Sequence, residues 1–142
     1  MAITTAVCSS LKPEYMTGVH NFTATTGDVI KAALYASAAS LGATTTAYSA
    51  TNEVSGTGYT AGGQTVTNTT PILSGTVAIM DFTDVIWTAS SITARGCLFY
   101  NSSKSNKAIQ VHDFGADYTS TAGPFTLTMP ASGASTSIVR LA

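Results

Sequence analysis

The segment Phe125-Thr126-Leu127-Thr128-Met129 alternates strictly between apolar and hydroxyl side chains. That period of two places Phe125, Leu127 and Met129 on one face of a strand and both threonines on the other. Thr76 to Phe82 is apolar on both faces, as a central strand is. Further runs rich in Val, Ile, Thr and aromatic residues read as strands at Val29–Ala36, Gln64–Thr69, Val85–Thr88, Ile92–Tyr100, Ala108–Phe114 and Ser137–Leu141. Turn-formers separate them: Gly62-Gly63, Ser74-Gly75, Asn101 to Asn106, Gly123-Pro124 and Ser132-Gly133. About eight short strands at this spacing imply an all-β chain, a β-sandwich or jelly roll.

Residues 1–18 are written differently. Val7, Cys8, Leu11, Tyr15 and Met16 share one helical face. Ser10 is the expected cap of a short helix, Pro13 falls in its first turn, and Gly18 ends it. Ala32, Ala33, Ala36, Ala38 and Ala39 have helical propensity, but Val29-Ile30 and Leu34-Tyr35 favour a strand followed by a loop. No repeat or linker divides the 142 residues, so residues 1–142 form a single domain with an N-terminal helical arm. A 14.5 kDa chain folds to about 6,900 Å² of surface from roughly 21,000 Å² unfolded. That burial supports a core without metal or disulfide staples.

Charge excludes several functions. Thr, Ala, Ser and Gly supply 25, 21, 16 and 12 residues, while charged residues are 9% of the chain and the net charge is −1. Four Lys and two Arg cannot neutralise many phosphates, which argues against nucleic-acid binding. The charge-free run Val54 to Met80 is broken by Thr, Ser, Gly, Asn and Pro71, so it is no membrane span. The opening residues lack the basic and apolar regions of a signal peptide, and the expectation is synthesis in a reducing cytoplasm. Cys8 and Cys97 match no metal-binding spacing and read as free, structural thiols.

The ionisable groups are few: His20, His112, Glu14, Asp28, Glu53, Asp81, Asp84, Asp113 and Asp117. No nucleophile elbow, HExxH or phosphate-loop motif accompanies them. Gly56-Thr57-Gly58 and Gly62-Gly63 form a turn-rich loop without the lysine of a nucleotide cradle. The pairs Asp81/Asp84 and Asp113/Asp117 lack the alternating acids of a calcium loop and read as strand-end acids that serve turns. No cofactor, metal or catalytic residue is expected. A glycosidase or esterase would need a carboxylate pair or triad that these residues do not announce.

So neutral a coat suits a subunit of an assembly. The opening Met1-Ala2-Ile3-Thr4 with Cys8 and Ser10-Leu11-Lys12, then Gly18-Val19-His20-Asn21-Phe22, resembles small structural proteins of tailed bacteriophages. So do Ile30-Lys31-Ala32-Ala33-Leu34-Tyr35, Ile92-Thr93-Ala94-Arg95-Gly96, Asp113-Phe114-Gly115 and, most specifically, the block from Asn52 to Gly63. The resemblance spans nearly the whole chain. It implies a non-enzymatic virion protein, similar to capsid decoration (cement) proteins that sit as oligomers, often trimers, on the outside of the head. The partner it implies is the major capsid protein; the alternative is a tail or tail-fibre component contacting the host surface. Tyr48 and Tyr59, flanking the glycine-rich loop, are the candidate interface residues, and packing within the protomer is the competing role for both.

Overall fold

Eight strands and one short helix, described over residues 2–142 in a computed structural model, form two antiparallel sheets. The elements are β1 (Ala6–Val7), α1 (Leu11–Met16), β2 (Ile30–Tyr35), β3 (Gln64–Val66), β4 (Ile72–Ser74), β5 (Val77–Met80), β6 (Val85–Asn101), β7 (Lys107–Leu127) and β8 (Val139–Leu141). One sheet runs β1-β7-β6-β2-β3 and the other β4-β5-β8. Strands make up 47% of the chain and helix 4%, so the all-β architecture with a minor helix stands. The accessible surface is 6930 Å², matching the scaling expectation for a compact chain of this mass.

The larger sheet is buried on both faces at its centre. On one side Leu34, Cys97, Phe99 and Ile109 pack with Met80, Phe82, Ile138 and Val139 from the smaller sheet and its flanks. Phe82 and Phe99 stack there with centroids 4.7 Å apart. On the other side Ala33, Tyr35, Leu98, Tyr100 and Val111 are covered by Ile3 and by Ala39, Leu41 and Tyr48 of the loop after β2. Two buried faces explain why β2 reads Ile-Lys-Ala-Ala-Leu-Tyr with almost no polar alternation.

β6 and β7 differ from the short strands expected. Val85–Thr88 and Ile92–Tyr100 are parts of one 17-residue strand, and Ala108–Phe114 joins Phe125–Leu127 in one of 21 residues. An unbent 17-residue strand would span roughly 55 Å. That exceeds the size of a globule whose radius of gyration is about 14.5 Å. The hairpin therefore has to bend, and it does so through bulges. Between Ser90↔Gly123 and Ile92↔Ser120, β7 takes three steps against two of β6, with Ala122 at φ 48. The expected break at Gly123-Pro124 is absorbed here, where the lost proline N–H needs no neighbouring strand. Between Ala94↔Tyr118 and Gly96↔Asp113, β7 takes five steps against two.

The arm also differs in detail. The helix begins at Leu11, its side-chain cap is absent because Ser10 is itself helical (φ −62, ψ −28), and Thr17 follows Met16. Gly18 closes it at φ 68. Val7 lies in β1, paired with Gln110, and Cys8 follows it outside the helix. β4, unforeseen in the sequence, forms a hairpin with β5 through Gly75 at φ 65.

Candidate functional site

Glu53 is the only charged residue between Lys31 and Asp81, and the loop over β2 is built on it. Its carboxylate accepts the hydroxyls of Tyr48 and Tyr59, each at 2.6 Å, and the Gly62 amide at 2.7 Å. Charge-assisted bonds of this length are the strong kind. Tyr59 Oη also accepts the Leu34 amide, and Tyr100 donates to the Gly62 carbonyl. Burial first, and then the Glu53 carboxylate, pushes the ionisation of both Tyr48 and Tyr59 upward, so both remain donors. Tyr48 stacks on Tyr100 at 4.7 Å, and Tyr59 lies 5.9 Å from Trp87.

The glycines of this block have a geometric reason. A Cβ on Gly58 would stand 2.3 Å from the Ala89 carbonyl, and one on Gly63 1.8 Å from that of Ala32. The loop thus lies directly on the backbones of β6 and β2, which only glycine permits. Tyr48 and Tyr59 are both half-buried, with their hydroxyls bonded inside the protomer.

A second feature is a groove of about 510 Å³ beneath the bend of β7, lined by Phe114, Tyr118, Thr119, Pro124, Phe125, Thr126, Leu127 and Thr128. The wide bulge creates it by bringing Phe114 to 6.4 Å from Phe125, eleven residues along the chain. Asp113 holds the bulge: its Oδ1 accepts Arg95 Nε at 2.7 Å and the Gly115 amide at 3.0 Å, and Gly115 adopts φ 83. Its role is to pin an in-strand bulge. The groove carries no charged side chain, and Tyr118 is 54% exposed at its rim.

The buried polar groups are spent on architecture. Asn101 Nδ2 donates to Asp28 Oδ2 at 2.8 Å and faces His20 Nδ1 at 2.9 Å. Both amide protons are thereby used, so His20 carries its proton on Nε2, aimed at Glu14 Oε2 2.7 Å away. Glu14 Oε1 takes Lys107 Nζ at 2.7 Å. Helix, arm and hairpin turn are joined by this network. His112, opposite Cys97 in register, meets the Gln110 amide at 3.1 Å. Burial raises both thiols to about 12, with the Glu14 charge adding at Cys8 and a backbone contact from His112 opposing at Cys97. Both cysteines are free. Among the described residues no three His, Cys, Asp or Glu side chains gather to hold a metal ion, and no helix is long and apolar enough to cross a membrane.

Sequence reasoning overlooked Glu53 as the hub and the pairing of Glu14 with His20. The signal for the first was present: one acid isolated in a long neutral stretch that also contains Tyr35, Tyr48 and Tyr59. Comparison with protein-family models, curated proteins and solved structures gives no match.

Proposed function

We propose that this chain is a non-enzymatic structural component of a tailed-phage virion, a decoration protein that binds the major capsid protein on the outside of the head and stabilises the shell. The supporting observation is a neutral, hydroxyl-rich surface presented on a rigid frame. Val54–Met80 and Tyr118–Val139 contain no charged residue, and threonines 57, 60, 65, 67, 119, 121, 126 and 128 within them are exposed. Such a surface binds through packing and hydroxyl contacts, with little desolvation of charge. Binding only to the assembled lattice adds its free energy to the assembled state. Several identical contacts per oligomer, most simply a trimer, multiply weak affinity through effective concentration. Tyr48 and Tyr59 serve this surface by fixing the loop through Glu53 and offering ring carbons at its rim.

The test is sedimentation of purified protein with undecorated mature heads across a salt series. Co-sedimentation that changes little with salt is expected, since few ion pairs can form. Absence from the head pellet, with antibody against this chain labelling the tail, would transfer it to the tail or fibre.

A further inference from the structure

β4 has the chemistry of an interior strand but lies at a sheet edge. Its Ile72 is 60% exposed and its Leu73 70%, and successive strand residues point to opposite faces, so both faces are apolar and open. β4 is paired along one edge only, by β5. Edge strands are ordinarily blunted by charge, yet β4 sits inside the charge-free Val54–Met80 run. The groove beneath the β7 bend is the converse feature, a concave, uncharged, aromatic-walled space of about 510 Å³ to which β4 contributes nothing.

We infer that copies of this chain associate head to tail, with the β4 edge of one copy seated in the groove beneath the β7 bend of the next. Leu73 is the anchor, and Phe114 and Tyr118 form the receiving wall. The occupant is a second copy because knob and groove match in charge, both being neutral, and because one molecule carries one of each on separate sheets. Two different patches make a heterologous contact, which closes into a ring where the rotation between successive copies returns to the first and otherwise runs on as an open filament. Two aliphatic side chains and one groove are small beside the roughly 800 Å² per partner of a stable pairwise interface. A ring, in which every copy makes two such contacts and no knob or groove is left open, is the closed form this pairing allows. The inference deepens the oligomer of the preceding section, and its test needs no phage head.

The experiment is light scattering after size exclusion at submillimolar concentration, on wild type, Leu73→Asp and Tyr118→Asp. Circular dichroism checks each fold, and Thr128→Lys is a second groove variant at an exposed position. Wild type is expected to form a ring whose mass is insensitive to salt, and each variant alone to be monomeric. Mixing Leu73→Asp with Tyr118→Asp should give a two-copy species, because one molecule keeps its groove and the other its knob. A monomeric wild type overturns the inference. So does an assembling wild type whose mixed variants stay monomeric or whose single variants still assemble.

Discussion

Tyr59 donates its hydroxyl proton to Glu53 Oε1 across 2.6 Å, while its own oxygen accepts the Leu34 amide at 2.9 Å. One phenol thus connects the loop's only carboxylate to the backbone of the central sheet. Removing that carboxylate strands two hydroxyls and the Gly62 amide. Glu53→Ala should cost about 3 kcal/mol, given what bonds to charged acceptors contribute. For a domain of this size that lowers the melting temperature by roughly 10 °C. Glu53→Gln, which keeps one acceptor oxygen, should lose less. Urea titration of both variants measures this, and an Ala variant as stable as wild type would show the hub to be idle.

Gly63 and Gly75 both adopt left-handed backbone, at φ 71 and φ 65, but only Gly63 presses on a neighbour. Gly75→Ala meets open space and should cost the conformational penalty alone, about 1–2 kcal/mol. Gly63→Ala would drive a methyl into the Ala32 carbonyl and should exceed about 4 kcal/mol, the range reserved for gross disruption. Equal losses in denaturation midpoint would refute the close-approach explanation.

Acid should weaken the fold in two separable stages. Burial holds the His112 imidazole below its ordinary value, with Asp81 opposing the shift only in part. The unfolded chain therefore takes up this proton first. His112's contribution is complete above about pH 6.5 and declines as pH falls from there through the lowered folded value. Partial burial raises Glu14, but hydrogen bonds from Lys107 and His20, together with the Lys107 charge, outweigh it; Asp28 is likewise lowered against burial by Asn21, Asn101 and Lys104. Their stabilisation is present above the ordinary carboxylate range and is lost as pH falls through the lowered values. Denaturation midpoints measured against pH should show both stages, and His112→Gln should abolish only the upper one. A variant retaining the upper slope would assign it elsewhere.

Cys8 and Cys97 belong to packing clusters on opposite faces of the larger sheet. A bridge requires Cα atoms within about 7 Å and converging Cβ vectors, which that separation by a sheet denies. Neither thiol should react with a water-soluble disulfide reagent in the native protein, and both should react on unfolding. Mass spectrometry without reductant should show no loss of two hydrogens. Rapid native labelling of either thiol would contradict their burial.

Strand chemistry written locally was readable. Val29–Ala36 contains β2 to within a residue at each end, Thr76–Phe82 encloses β5, and Asn101–Asn106 marks the hairpin turn. Continuity was not readable, because bulges at Ser90–Ile92 and Ala94–Gly96 interrupt alternation without ending pairing. β4 escaped notice since three residues after Pro71 carry too few positions to display a period. Val7 and Cys8 fitted a helical face by spacing, but pairing of β1 with Gln110 and Val111 overrode it. The Glu53 hub joins residues brought together only by the folded loop, and no local pattern encodes such a meeting.

The long hairpin has a mechanical consequence. β6 runs unbroken from Val85, beside the small sheet, to Asn101 at the far turn, and its antiparallel pairing with β7 continues, through shifts of register, from Val85↔Leu127 to Asn101↔Lys107. Tension applied between the two ends of this ribbon along its length loads many interstrand bonds together, in shear, where an edge pulled sideways would open them one after another. The bulges act along the same line as bends that straighten before bonds break. A protein built around such a ribbon resists a pull along β6 far better than a pull across it.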